Sequence, residues 1–223
     1  MGVYERVQAD LRGMARYWQL RKFQYLDRAS EEFALLVDPE PFGGAEAAPS
    51  DIMLMNVCFT EWLLLERCLR DGKTPLELYV AARPVHAGAR SIERLGQVAR
   101  TQLFSRFDIL DRDRAAGVTV LRDTFTGRRH DVADPRLLET ERWREGVIGM
   151  RIAQVDGAWV HAGVTHLYDV APSAKTRGQG PGEVPVEGEL WPALGDMTLF
   201  LRILRDVLGA EGRFRDTART VTA

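Results

Sequence analysis

The side chains through which this sequence could do chemistry are four histidines, two cysteines and a dense set of carboxylates. His161 and His166 lie five residues apart on a segment that reads as a strand. A strand alternates its faces with period two, so this odd spacing points the two rings to opposite sides. They can share a metal only if a bulge intervenes. The sequence has no Cys-x-x-Cys pair and no His-Glu-x-x-His motif, so the expectation is no metal site and no cofactor. Glu61 and Glu66 interrupt the most apolar helical stretch of the chain. A carboxylate there either pairs with an arginine or faces a pocket beside Trp62. Glu61, Trp62, His161 and His166 are therefore the candidates for a pocket between helices and sheet. Cys58 and Cys68 stand about 15 Å apart along one helix, too far for a disulfide. Both read as reduced core thiols.

Asp108, Asp111, Asp113, Asp123, Asp131 and Asp134 cluster around the first strands. A metal-dependent nuclease could use such a set. Arginines alternate with them, however, and mixed charge at strand edges usually serves solvation and discourages edge pairing. From Arg83 to Arg151 there are 14 arginines against 10 acidic residues, a local excess of +4. Arg122, Arg128 and Arg129 would sit on the strands and are the candidate nucleic-acid contacts, since small barrels often bind single strands through arginine and aromatic groups. Gly178-Gln-Gly-Pro-Gly182 resembles a phosphate loop only in composition, without the following Lys-Ser/Thr. No Gly-x-Ser-x-Gly elbow is present.

These groups must be placed by about 223 residues of ordinary globular composition, 45% hydrophobic and 28% charged, with a formal net charge of −2. No global field steers nucleic acid or a membrane surface. No apolar run spans a bilayer and no signal-peptide core opens the chain, so the expectation is a cytoplasmic protein. All but three of the 30 basic residues are arginine, which fits a GC-rich bacterial genome.

The apolar period places helix over residues 3–37, with a break near Asp27 admissible, and its stripe of Val3, Val7, Leu11, Met14, Trp18, Tyr25, Ala29, Phe33 and Leu36 is either a packing face or a dimer seam. Pro39 and Pro41 stop it, and residues 42–49 read as linker. A nearly all-apolar helix over 51–70 should sit at the centre of the helical part. A capping box at Thr74-Pro-Leu-Glu77 opens the next helix, and another runs over about 90–103. The period then changes to two, giving short strands at 107–110, 118–123, 129–132, 146–155 and 159–168, with a strong hairpin signal at Asp156-Gly157. The division is thus helical over 1–103, a small sheet or barrel over 104–170, a loop or linker over 171–194, a C-terminal helix over 195–209 and a frayed tail over 210–223. The fold class is α+β, with a helical N-terminal half packed on a small, strongly curled antiparallel sheet or barrel and the last helix docked back.

Phe59-Thr-Glu-Trp62-Leu, Asp71-Gly-Lys-Thr-Pro-Leu-Glu77 and Asp123-Thr-Phe-Thr-Gly127 occur in an order similar to an uncharacterised helical-plus-small-barrel region of bacterial proteins that carry a SEC-C zinc motif. The resemblance covers roughly residues 55–165. The zinc motif itself is absent, so the resemblance implies architecture and no activity. The reading is an uncharacterised bacterial binding or regulatory module acting through a protein partner or a homodimer. The alternatives are a nucleic-acid-binding protein and an enzyme with a pocket between helices and sheet, and no membrane partner is expected.

Overall fold

A computed structural model describes residues 2–39, 49–169, 197–208 and 219–222. The linker expected at 42–49 and the loop at 171–194 lie almost wholly outside these residues. Helix α1 spans Val3–Gln19, a 3-10 turn Lys22–Gln24, and α2 Leu26–Val37. The long N-terminal helix is thus broken, and the break falls at 20–25, a few residues before Asp27. Tyr25 holds it: its hydroxyl donates to the Trp18 carbonyl at 2.6 Å. Val7, Leu11, Met14 and Trp18 are buried within the chain, because α1 packs on the strand Ala158–Asp169 and on helices α4 (Pro75–Ala82) and α5 (Ala89–Thr101). The stripe that could have faced a second copy is consumed internally.

Helix α3 spans Pro49–Leu65. In its second half Cys58 and residues 61–65 are buried, whereas Ile52 and Met53 in the first half are exposed. Only that second half is central to the helical layer. Cys58 is buried and Cys68 is exposed, so the expectation of two core thiols holds for one of them. The helix ends at Leu65, before Cys68, and the following residues turn. The capping box is present: Glu77 N–H donates to Thr74 Oγ1 at 3.3 Å and the Thr74 N–H to Glu77 Oε2 at 2.8 Å.

The sheet contains β1 (Leu103–Asp113), β2 (Val118–Asp123), β3 (Arg129–Ala133), β4 (Val147–Val155), β5 (Ala158–Asp169) and β6 (Arg219–Thr222). Its order is β3-β2-β1-β4-β5-β6. Neighbours run antiparallel, and the sheet curls far enough that β3 also pairs in parallel with β5. The fold is α+β, with its helices concentrated in the N-terminal half. The β4–β5 hairpin turns at Asp156 and Gly157, both with positive φ (51° and 81°), the pairing that an Asp-Gly turn favours. Strand β6 corrects the expectation of a frayed tail. Its β-branched Thr220, Val221 and Thr222 suit a strand and pair with residues 165–167 of β5. Helix α6 (Pro135–Glu139) lies between the expected strands; Asp134 caps it and Pro135 starts it. Helix α7 (Leu199–Leu208) packs on α2, α3 and β1.

Two apolar cores result. One joins the helices to Ala153, Val155, Val160, Ala162 and Leu167. The other lies inside the curl, around Phe107, Leu121, Ile148, Met150, Ile152 and Trp143. Among the described residues no helix is long and apolar enough to cross a membrane.

Candidate metal centre

Strand β5 does not keep a regular register against β4. Ile152 pairs with His161 and Met150 with His166, so a single residue of β4, Arg151, stands opposite residues 162–165. The excess of three residues is odd, and an odd excess returns both histidines to one face. The expectation that the rings diverge is therefore overturned, for the physical reason that made it conditional. Both rings share a face with Met150 and Ile152 and enter the inner core. Their centroids are 4.2 Å apart, and Trp143 lies over His166 at 5.0 Å.

The bulge takes residues 162–165 out of the β4 ladder, in the stretch between the pairing with β3 at 159–160 and that with β6 at 165–168. Side chains from two helices fill the gap. Glu61 Oε2 accepts the N–H groups of Val164 and Thr165, each at 2.9 Å. Gln8 Nε2 donates to the carbonyls of His161 at 3.0 Å and Gly163 at 3.4 Å. Gly163 permits the approach: a Cβ there would stand 2.7 Å from Glu61 Oε1. Arg151, the residue opposite the bulge, faces the helices. Its Nε donates to Glu61 Oε1 at 3.1 Å, Nη1 to Gln102 Oε1 at 3.4 Å, and Nη2 to Glu66, which also accepts from Thr198. Burial would raise the Glu61 carboxyl, but the Arg151 guanidinium and the Val164 N–H outweigh it and hold it below the usual range. Of the two readings of Glu61, the paired one holds: the carboxylate is buried against Arg151 and the backbone of β5.

Asp134 arrives from the opposite direction. Val132 pairs with Trp159 and Ala133 with Val160, so the residue that follows β3, the cap of α6, comes alongside His161. Its Oδ1 accepts the Arg136 N–H at 2.9 Å as the cap of α6. Its Oδ2 lies 2.8 Å from His166 Nε2 and 3.4 Å from His161 Nδ1. Burial pushes this carboxyl up, but the His166 hydrogen bond and the neighbouring rings bring it down to about 2. Asp134 is then an acceptor, and His166 Nε2 carries the proton between them. His161 goes the other way. Burial and then His166 push it down to about 4, against the pull of Asp134 and Glu61. Neither nitrogen of His161 has a hydrogen-bond partner, nor does His166 Nδ1; the 3.4 Å approach to Asp134 is close but not aligned. Leaving such buried groups unmatched costs about 1–3 kcal/mol each.

Asp134, His161 and His166 each offer a ligand atom, and these atoms all lie within 4.8 Å of one another. Two imidazoles and a carboxylate suit the divalent transition metals from manganese to zinc. Sequence reasoning placed Asp134 among the alternating charges at strand edges. The Asp-Pro start of a helix was the signal that could have singled it out.

The other candidates lie elsewhere. Trp62 belongs to an aromatic group with Phe33 and Phe59 at 5.4 and 6.1 Å. Arg122, half-exposed, pairs with Asp108 at 2.7 Å, and the exposed Arg129 lies 3.4 Å from Asp131. Arg128 is exposed. Asp113 and Asp123 cap turns, accepting the N–H groups of Ala116 and of Phe125 and Thr126.

Two outcomes follow from this geometry. Arg151→Ala leaves Glu61 charged and buried without its partner and lowers stability by about 3–5 kcal/mol, whereas Arg151→Met combined with Glu61→Gln recovers part of the loss; urea denaturation at neutral pH measures both. The second concerns pH in the metal-free chain. Unfolded His161 takes up a proton near the ordinary value of about 6.5, but the folded residue resists until about 4. The unfolded state therefore binds more protons between those values, and stability falls as pH drops through that window. Asp134 contributes above the unfolded carboxyl value of about 3.9, and its contribution is lost only as pH falls on towards about 2. Urea midpoints at stepped pH should fall between 6.5 and 4, and His161→Leu should flatten that slope.

No protein-family model, no curated protein and no solved structure matches the chain.

Proposed function

We propose that this protein is a non-catalytic binding module organised around one divalent transition-metal ion held by Asp134, His161 and His166. The observation that carries the reading is the convergence of three buried ligand atoms with unmatched imidazole nitrogens at the meeting of β3 and β5. Metal–ligand bonds of roughly 2.0–2.1 Å hold ligand atoms on the order of 3 Å apart, and the separations of 2.8 and 3.4 Å from Asp134 are of that size. The ion would replace the proton between Asp134 and His166, so binding releases a proton and strengthens with pH. All three side chains are sealed, with 3% exposure or less. That favours an ion that ties β3 to β5 over one that turns over a substrate. The small sheet then behaves as a metal-closed barrel supported by the helices.

The full chain is expected to take up one equivalent of Co2+ or Zn2+ after chelator treatment, with a rise in melting temperature. His161→Ala and His166→Ala should each weaken binding by about 100-fold. Elemental analysis of the purified protein and a thermal-shift series with Mn2+, Fe2+, Co2+, Ni2+ and Zn2+ check this. Absence of metal and of any shift rejects the reading.

A second reading, association with another copy, is favoured by the elbow between α1 and α2, where Leu20 is 82% and Phe23 is 91% exposed. Burying two large apolar side chains is worth roughly 1.5–3 kcal/mol each. Sedimentation of wild type should show a dimer that Leu20→Ser with Phe23→Ser converts to monomer; a monomeric wild type rejects it.

A further inference from the structure

We infer that Glu61 is the positioning residue of the metal centre, acting through the backbone of β5 and assisted by Gln8. The inference rests on the metal-binding reading above. Neither residue is a ligand. What they determine is whether β5 carries its odd excess of residues, and hence whether His161 and His166 share a face at all.

A strand bulge leaves donors and acceptors without a ladder, and a buried group without a partner is costly. Here the donors of Val164 and Thr165 end on one carboxylate oxygen and the acceptors of His161 and Gly163 on one amide nitrogen. The two capping side chains come from separate helices, α3 and α1. Secondly, the carboxylate lies so close to the strand that residue 163 has no room for a Cβ, which would fall 2.7–2.9 Å from three Glu61 atoms. Thirdly, Arg151 occupies the single position of β4 opposite the bulge and fixes the other oxygen of Glu61. A shift of the carboxylate by a fraction of an ångström is therefore a shift of the segment between the two histidines. Groups that orient ligands in this way typically govern affinity by 10–100-fold.

The test measures Co2+ affinity of the full chain by chelator competition, the visible Co2+ spectrum, and metal-free stability by urea. Gly163→Ala and Glu61→Ala should weaken Co2+ binding at least tenfold and alter the spectrum. Glu61→Gln keeps an oxygen that can accept from Val164 and Thr165, and should retain most of the affinity and the wild-type spectrum. Gln8→Ala, the mildest change, should weaken binding severalfold and keeps the test open if Glu61→Ala does not fold. Leu95→Ala, a fully buried position in the helical core, serves as the stability control: it should lower the urea midpoint and leave Co2+ affinity unchanged. If Gly163→Ala and Gln8→Ala bind Co2+ with wild-type affinity and spectrum, Glu61 does not position the centre, although the metal reading stands. If wild type takes up no Co2+, the metal reading falls and this inference with it.

Discussion

The architecture depends on one buried contact, the carboxylate of Glu61 set against the backbone of β5 and held there by Arg151. Taking two opposite charges out of water costs several kcal/mol per ion and is recovered only when every remaining lone pair and proton is matched. That condition is nearly met here. One Glu61 oxygen takes two backbone N–H groups, the other takes the guanidinium, and the guanidinium reaches Gln102 and Glu66 as well. A hydrophobic pair of similar volume could fill the same space but could not satisfy Val164 and Thr165. The ion pair therefore specifies a register. In a regular ladder His161 and His166 would point to opposite faces.

The curl of the sheet supplies the other half of the arrangement. A strand paired on both sides along its whole length has no room for a bulge of this size. β5 changes neighbours midway, from β3 at 159–160 to β6 at 165–168, and the gap between those contacts is where the bulge lies. The parallel meeting of β3 with β5 also delivers Asp134, since the residue following Ala133 has nowhere to go but alongside His161. The histidines and their carboxylate are thus consequences of one topological event. Trp143 then closes the inner side, stacked over His166.

Much of this was legible from residue patterns, and the reasons for success and failure are distinct. The capping box at Thr74, the Asp156-Gly157 hairpin and the strand at 118–123 are local devices, and local chemistry is enough to place them. The apolar stripe of α1 was legible as a stripe, but whether it faced its own sheet or another copy is a tertiary matter. The elbow at 20–25 was misplaced by a few residues because it is set by a Tyr25–Trp18 contact rather than by a proline or glycine. Glu61, His161 and His166 stood out as polar residues in apolar surroundings, and they do come together. Trp62, their neighbour in sequence, points into the aromatic group instead. Asp134 was hidden because its role depends on β3 meeting β5, a contact between segments far apart in the chain. The bulge was hidden for the same reason: nothing in His-Ala-Gly-Val-Thr-His announces that four residues will stand opposite one.

The two apolar cores are continuous with this polar centre rather than interrupted by it. Ala162 and Leu167 face the helices while His161 and His166 face the curl, so the bulged segment belongs to both. The hydrophobic effect is non-directional, so the helix–sheet core by itself leaves the polar backbone of the bulge unmatched. The carboxylate and amide that enter β5 are directional, and they fix the layer in one place. The cost is a cluster of buried imidazoles with unmatched nitrogens, and an ion bound by Asp134, His161 and His166 would remove that cost while leaving the directional contacts intact. On this view the metal and the Glu61–Arg151 pair are complementary. The ion would satisfy the inner face of the bulge, as the pair satisfies its backbone.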